Sequence, residues 1–156
     1  MGSDYTEQFI TGITHVFKTM CAIDLAHESP FEKAQRRTTA DVTGVMAFTG
    51  DRRGTMCFNT SASGALTIYA RLMHEKHQEV NAQIIDAVGE LTNIISGQAR
   101  KELEKESLHL IAHVPMVFVG KGLELHYVTK GAIVSIPFSF DHEGKTEELS
   151  LDYVFE

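Results

Sequence analysis

The sequence lacks the features that mark membrane and secreted proteins. It has 156 residues, with two cysteines, three prolines and no tryptophan. No apolar run reaches the roughly 18 residues that cross a bilayer, and the N-terminus shows no basic region followed by an apolar one, as a secretory signal would. Cys21 and Cys57 form no CxxC pair and have apolar neighbours, which predicts buried, inert thiols in a reducing compartment. We therefore expect a cytoplasmic protein without a membrane segment.

An excess of basic residues is also absent. The formal net charge is −7, whereas nucleic-acid-binding domains usually have a basic patch. The densest basic group flanks predicted turns and strand ends, which indicates solvated loops: Lys33, Arg36, Arg37, Arg52 and Arg53. The eight histidines have no cysteine cluster beside them and form no HExxH pattern. The sequence therefore indicates neither a nucleic-acid partner nor a metal site.

The hydrophobic pattern predicts one domain, residues 1–156, of the α/β class and the α+β type. The length fits one domain, and 43% hydrophobic with 22% charged residues is an ordinary globular mix. Helical periodicity predicts three main helices, which pack on an antiparallel sheet of about six strands. The predicted helices are residues 4–20, 62–73 and 81–104. The predicted strand segments are residues 38–49, 55–59, 108–113, 116–119, 123–128, 132–140 and 149–155.

Glycines and one proline refine this prediction. Clusters of glycine and charged residues predict turns at residues 50–54, 120–122 and 141–145. Pro137 falls inside a predicted strand. Because proline cannot donate to a sheet ladder, its position predicts an edge strand or a bulge.

The predicted helix 81–104 is the most informative segment. Its apolar residues recur at helical spacing and form one stripe: Ile84, Val88, Leu91 and Ile95. Asp86, Glu90 and Asn93 recur at the same kind of spacing on the opposite side. The pattern therefore predicts an acid and an amide about one helical turn apart on a rigid, outward-facing surface.

Gly89 and Gly97 flank that surface. A glycine inside a helix costs roughly 1 kcal/mol relative to alanine, so a property other than helix stability keeps them there. A bare backbone allows another molecule to approach Glu90 and Asn93 closely. The alternative interpretation is a solvated helix face with two incidental glycines, since polar outer faces are the rule.

A weak internal repeat relates residues 13–17 to residues 91–95, and each segment stands on a helix that a hairpin later follows. The sequence therefore predicts a pseudo-repeat of two halves. In the first half Gly12 and His15 stand at the positions of the acid and the amide, so the chemistry is predicted for the second half alone.

These residues resemble the signature of the CheC, CheX and FliY phosphatases, which act on phosphorylated response regulators of bacterial chemotaxis. The pattern is Asp86-x3-Glu90-x2-Asn93, with 21 residues between Asn93 and Pro115. The order of predicted elements is similar to that of the family along the whole chain. One complete motif, a short chain and a degenerate first half resemble CheX more than the two-site CheC type.

The resemblance implies an enzyme, a protein aspartyl-phosphate phosphatase. Its substrate would be a phosphorylated, CheY-like receiver domain. The resemblance implies that Asn93 orients the attacking water and Glu90 docks the receiver's lysine. Asp86 matches the motif, and we assign it with Gly89 and Gly97 to the partner-binding surface; the alternative for Asp86 is a surface acid that steadies the helix. It implies no cofactor of the chain's own, because the receiver supplies Mg²⁺.

The resemblance also implies a homodimer. CheX-like proteins pair or exchange strands at sheet edges, which would otherwise be left unpaired. The predicted strands 132–140 and 149–155 alternate strongly, and we expect them to contribute to such an interface.

Two other functions remain open. One is a non-catalytic module that binds a receiver or a flagellar-switch component and keeps Glu90 for docking alone. The other is an unrelated sensory or small-ligand domain that shares the spacing. A deep apolar pocket would favour the small-ligand domain, whereas the phosphatase requires a shallow, convex face.

Overall fold

The computed structural model describes residues 4–156 as three helices and eight strands. The predicted α+β fold, with three helices on an antiparallel sheet, is confirmed. The sheet has more strands than expected because two strands of two residues each follow the first helix. In chain order the elements are α1 (Thr6–Cys21), β1 (Ala26–His27), β2 (Phe31–Glu32), β3 (Arg37–Gly50), β4 (Gly54–Thr60), α2 (Ala62–Met73), α3 (Ala82–Glu104), β5 (Leu110–Ala112), β6 (Met116–His126), β7 (Val134–His142) and β8 (Lys145–Phe155).

The strands form one sheet whose order has an internal symmetry. The order is β1–β7–β8–β4–β3–β5, with β2 also paired to β7 and β6 also paired to β3. The strands after α1 therefore border the hairpin β7–β8, and the strands after α3 border the hairpin β3–β4. Each half of the chain completes the sheet of the other, which agrees with the predicted pseudo-repeat.

The three helices share one core with the sheet. The predicted apolar stripe of α3 is buried: Ile84, Val88, Leu91 and Ile95. Each fully buried side chain of this size contributes about 1.5–3 kcal/mol relative to an exposed one. In the described part of the chain, none of the helices has both the length and the apolar composition of a membrane span.

Side-chain caps determine where α2 and α3 begin. The Ser61 hydroxyl accepts a hydrogen bond from the Gly64 amide at 2.9 Å, and the Asn81 side chain accepts one from the Ile84 amide at 3.1 Å. Such caps satisfy amides that have no partner inside the helix. The sequence predicted α2 correctly, and α3 starts one residue later than predicted because Asn81 is its N-cap.

The two ends of the sheet differ in how their edges are covered. Pro137 lies in β7, the outermost long strand at one end, as its predicted edge position requires; β1 and β2 pair with β7 on either side of it. At the other end β6 pairs with β3 alone, and its outer edge has no strand partner within residues 4–156. Strand β8 has no free edge for the pairing expected of residues 149–155, because it is hydrogen-bonded to β4 on one edge and to β7 on the other.

The prediction of a turn at residues 120–122 is wrong. The strand β6 continues through this segment and forms a bulge against β3. Val42 pairs with Val119 and Ala40 pairs with Leu123, so β6 has two more residues than β3 between these positions. Glycine here permits the bend of a bulge rather than a reversal of the chain.

Asp41 ties this bulge to the start of α2. Its carboxylate accepts hydrogen bonds from the Ala62 amide at 2.9 Å and from the Gly122 amide at 3.0 Å. Gly122 has a φ of 61°, the left-handed conformation that glycine adopts without strain. One half-buried strand residue therefore joins a helix N-terminus to the edge strand.

Lys33 departs from the expected solvated loop. Its ammonium lies 2.9 Å from Oδ2 of Asp152, a fully buried carboxylate. The Tyr127 hydroxyl donates to the same oxygen at 2.7 Å and the Asn59 amide at 3.3 Å. These bonds fasten the segments that contain Lys33 and Tyr127 to the sheet.

Both cysteines are buried, as predicted. Loss of solvent raises the pKa of the Cys21 thiol to about 11 and that of the Cys57 thiol to about 12. Thiols with such values stay protonated at neutral pH, and a protonated thiol is a poor nucleophile.

Asp41→Ala should lower the free energy of unfolding by about 1 kcal/mol near neutral pH, because two backbone amides lose their acceptor. The hydrogen bonds from Ala62 and Gly122 lower the pKa of Asp41 below its ordinary 3.8. A carboxylate with a lowered folded-state pKa stabilises the fold above its unfolded pKa, and this contribution is lost as the pH falls through the folded value. Denaturant titrations should therefore show the difference between the wild type and Asp41→Ala shrinking below about pH 4.

Asp24→Ala is the matched control. Asp24 pairs with Lys18 on the surface, where both side chains are largely exposed, and such pairs contribute little. An equal loss of stability in both variants, or a difference independent of pH, would contradict the role assigned to Asp41.

Candidate functional site

The exposed face of α3 presents the three polar residues that the sequence singled out. Asp86, Glu90 and Asn93 are all exposed to solvent. Their spacing of four and three residues places them on one side of the helix, with neighbouring Cβ atoms about 5–6 Å apart. The structure therefore brings an acid and an amide together on a convex surface.

These side chains are not engaged by the rest of the described chain. Within residues 4–156, the side chains of Asp86, Glu90 and Asn93 form no ion pair and no hydrogen bond. The backbone carbonyl of Asn93 accepts a hydrogen bond from the Ser96 hydroxyl of the same helix at 2.8 Å. An unpaired carboxylate and an unpaired amide on a surface are available to another molecule.

The back of α3 rests on β3 at a glycine. Thr92 is fully buried, and its hydroxyl donates to the Val88 carbonyl at 2.7 Å. Gly44 lies directly beneath it: a Cβ on Gly44 would overlap the Thr92 hydroxyl and lie 2.9 Å from the Thr92 Cβ. Sequence reasoning missed this contact, although an isolated glycine inside a predicted strand is a known signal of close backbone approach.

The two glycines of α3 have different surroundings. A Cβ on Gly97 would have no heavy atom within 4 Å, so this stretch of backbone is bare. A Cβ on Gly89 would lie 3.3 Å from a methyl group of Val117 in β6, so Gly89 also permits packing against the edge strand. Pro115 immediately precedes β6 and stands outside the exposed face of α3.

The corresponding surface of α1 cannot hold the same pair. Gly12, which occupies the position of the acid in the repeat, is buried against α3: a Cβ there would lie 2.9 Å from the Ala99 nitrogen and 3.2 Å from the Ala99 Cβ. His15 is exposed at the position of the amide. The structure thus has room for one acid–amide pair and not for a second.

The exposed face of α3 lies apart from the main cavities of residues 4–156. Three cavities, of about 790, 310 and 570 Å³, have no residue of α3 in their lining. The largest is an open groove beside β7 and β8, rich in serine and threonine. Among residues 4–156, no three His, Cys, Asp or Glu side chains are grouped as a metal site requires.

Comparison with known proteins gives one consistent family. The chain matches the family model described as chemotaxis phosphatase CheX over residues 42–139. It is similar to a protein of known structure from Desulfovibrio vulgaris Hildenborough that is assigned provisionally to chemotaxis, with 30% identity, 99% of this chain and 98% of that chain covered, and a TM-score of 0.89. It is also similar to the chemotaxis protein CheX from Desulfovibrio desulfuricans, with 29% identity, 97% and 99% coverage and a TM-score of 0.89.

A more distant structure has the same fold. This is the CheX–CheY–BeF3–Mg²⁺ complex from Borrelia burgdorferi, with 19% identity, 98% of each chain covered and a TM-score of 0.78. At that identity the likeness concerns the fold alone. No curated protein matches the chain significantly by sequence.

Gly97→Ala should raise the free energy of unfolding by up to about 1 kcal/mol, because alanine favours helix and the new methyl group meets open space. Gly12→Ala should lower it by about 1–3 kcal/mol, because its methyl group would press on the backbone of Ala99. Thermal and denaturant unfolding of both variants tests this contrast. A destabilising Gly97→Ala would contradict the bare surface assigned to that position.

Proposed function

Because this chain belongs to the CheX family of chemotaxis phosphatases, we propose that it accelerates hydrolysis of the aspartyl phosphate on a phosphorylated, CheY-like receiver domain. The supporting observation is the pair Glu90 and Asn93, which are exposed side by side on α3 and whose side chains have no hydrogen-bond or ion-pair partner within residues 4–156. A convex helix face suits a protein substrate, whose own active site supplies the concave side.

Asn93 is proposed to aim the attacking water. Hydrolysis of an aspartyl phosphate requires a water in line with the bond to the aspartate oxygen, and phosphoryl transfer is catalysed mainly by positioning and charge stabilisation. The side-chain carbonyl oxygen of Asn93 can accept a hydrogen bond from that water and so fix its direction. A strong base is unnecessary when the transition state is loose.

Glu90 is proposed to dock the receiver through its active-site lysine. The carboxylate is exposed in the free protein, and contact with the receiver would partly remove it from water. Truncating one partner of a desolvated, hydrogen-bonded pair costs about 2–5 kcal/mol. Glu90 therefore fixes the position of the receiver on α3, and Asn93 acts on the receiver in that position.

The remaining residues of the face are proposed to shape the contact surface. Asp86 lies one turn before Glu90 and adds a second negative charge to the docking face. Gly89 and Gly97 leave the helix surface without side chains on either side of Asn93. Gly97→Ala should therefore weaken receiver binding, although it stabilises the helix. The phosphorylated receiver brings its own Mg²⁺ as part of the substrate.

Asn93→Ala should lower kcat by about 100-fold with little change in KM, because the water loses its orientation while docking survives. Glu90→Ala should raise KM at least about tenfold, because the receiver loses its anchor. Both effects are measured by following phosphate loss from a receiver domain phosphorylated in advance, over a range of receiver concentrations.

Glu104→Ala is the matched control, an exposed acid on the same helix about 20 Å from Glu90; it should behave as the wild type. Full turnover by Asn93→Ala would refute its role. Receiver binding by the wild type without any acceleration would instead identify a non-catalytic docking module.

We also propose a homodimer that forms through β6. Within residues 4–156 the outer edge of this strand has no strand partner, and the strand exposes large apolar side chains: Met116, Val119 and Leu123. An exposed apolar edge strand is a template for pairing with another chain. A second copy, paired edge to edge, would extend the sheet and cover these side chains.

Sedimentation at micromolar concentration should give a dimer mass for the wild type and a monomer mass for Val119→Lys, because a lysine at an edge strand opposes pairing. Val128→Lys is the control, since Val128 is 91% exposed and lies outside β6; it should stay dimeric. A monomeric wild type at that concentration would overturn the proposed dimer.

A further inference from the structure

The sheet supports α3 at two points, and each lies beside one residue of the proposed site. Thr92, the neighbour of Asn93, rests on Gly44 of β3. Gly89, the neighbour of Glu90, faces Val117 of β6. Gly44 and Val117 are direct cross-strand partners, so the two supports lie side by side on the sheet beneath Glu90 and Asn93.

The support at Gly44 is the stiffer of the two. A Cβ added to Gly44 would lie 2.9 Å from the Thr92 Cβ, an atom that rotation about χ1 does not move, so a change of rotamer cannot relieve the overlap. The strand itself cannot retreat, because Gly44 is paired with Phe58 on one side and Val117 on the other. At Gly89, by contrast, the neighbour is the methyl end of a valine.

Hydroxyl groups hold the same turn of the helix from inside. Thr92 bonds to the Val88 carbonyl and Ser96 to the Asn93 carbonyl, and both hydroxyl-bearing residues are fully buried. Such bonds onto the preceding turn tend to bend helices rather than stabilise them. Because these two bonds do not stabilise α3, their presence is consistent with a turn whose position matters more than the stability of the helix.

We infer that Gly44 and Thr92 are positioning residues, which set the height of the Asn93 turn above the sheet. The inference rests on the proposed function. An outward shift of this turn would move the Asn93 amide away from the in-line water while leaving the chemistry of the amide unchanged.

Turnover should depend on this contact far more than docking does. A misplacement of about 1 Å in a positioning group can cost on the order of 100-fold in rate. The energy of an ion pair changes only slowly with distance, and the flexible side chain of Glu90 can follow the receiver's lysine. A shift of the helix should therefore appear in kcat and hardly in KM.

Gly44→Ala should lower kcat at least about tenfold and leave KM within about twofold of the wild type. Gly64→Ala is the matched control. Gly64 is also buried, and its new methyl group would also overlap a threonine hydroxyl, that of Thr60, but its neighbours include no residue of α3. Both variants should lower Tm, whereas Gly64→Ala should keep the wild-type kcat.

The double variant Gly44→Ala/Thr92→Ala removes the hydroxyl from the overlap and should regain part of the kcat lost in Gly44→Ala. If Gly44→Ala does not fold, Thr92→Val and Thr92→Ala test the same contact. Valine keeps the side-chain shape that packs on Gly44, so Thr92→Val should keep kcat. Alanine loosens this contact, so Thr92→Ala should lower kcat without a matching change in KM.

Equal kcat values for Gly44→Ala and the wild type would overturn the inference, as would parallel losses in Gly44→Ala and Gly64→Ala or an effect confined to KM. With an unfoldable Gly44→Ala, equal kcat values for Thr92→Val and Thr92→Ala would overturn it. Failure of the proposed function looks different, because the wild type itself would not accelerate receiver dephosphorylation.

Discussion

The close packing of α3 on β3 and its neighbour β6 is the constraint on which the other features depend. The buried stripe of the helix holds it to the core, and its position is fixed where Thr92 meets the bare backbone of Gly44. Because β3 is paired on both sides at this point, the helix rests on a surface that cannot yield. A long, rigid helix held in this way presents its opposite face to solvent at a fixed height, which a catalyst acting by alignment requires.

The symmetric sheet explains how a small chain provides such a platform. Each hairpin is bordered by strands from the other half, so the two halves cannot separate without losing hydrogen bonds at both ends of the sheet. Within this shared frame the two long helices have different tasks. In α1 a glycine faces the interior at Gly12 and serves the helix crossing, whereas α3 presents acid and amide to solvent. The two halves of a symmetric fold thus differ in the side chains that their long helices expose.

The sequence predicted the parts of the structure that depend on local pattern. The bounds of α2 were predicted, the start of α3 was missed by one residue, and the spacing of Ile84 to Ile95 gave the buried side of α3, because helix periodicity is regular. The errors concern pairing between distant strands. Residues 120–122 have the composition of a turn, and only the partner strand β3 decides that they form a bulge. Likewise, nothing in residues 149–155 indicates that both edges of β8 are occupied.

The exposed pair on α3 was predicted from spacing, but its support at Gly44 was not, because that contact joins residues 48 positions apart.

The crossing of α1 and α3 at Gly12 has a consequence for the history of such a chain. With Ala99 against its backbone, this position accepts no side chain unless the two helices move apart. A single substitution there cannot restore an acid, since the first effect would fall on folding rather than on chemistry. The first half of the chain therefore keeps glycine at position 12, because any side chain there would clash with Ala99 of α3. An exposed acid on α1 at this position would therefore require a wider crossing between α1 and α3, and not a substitution at Gly12 alone.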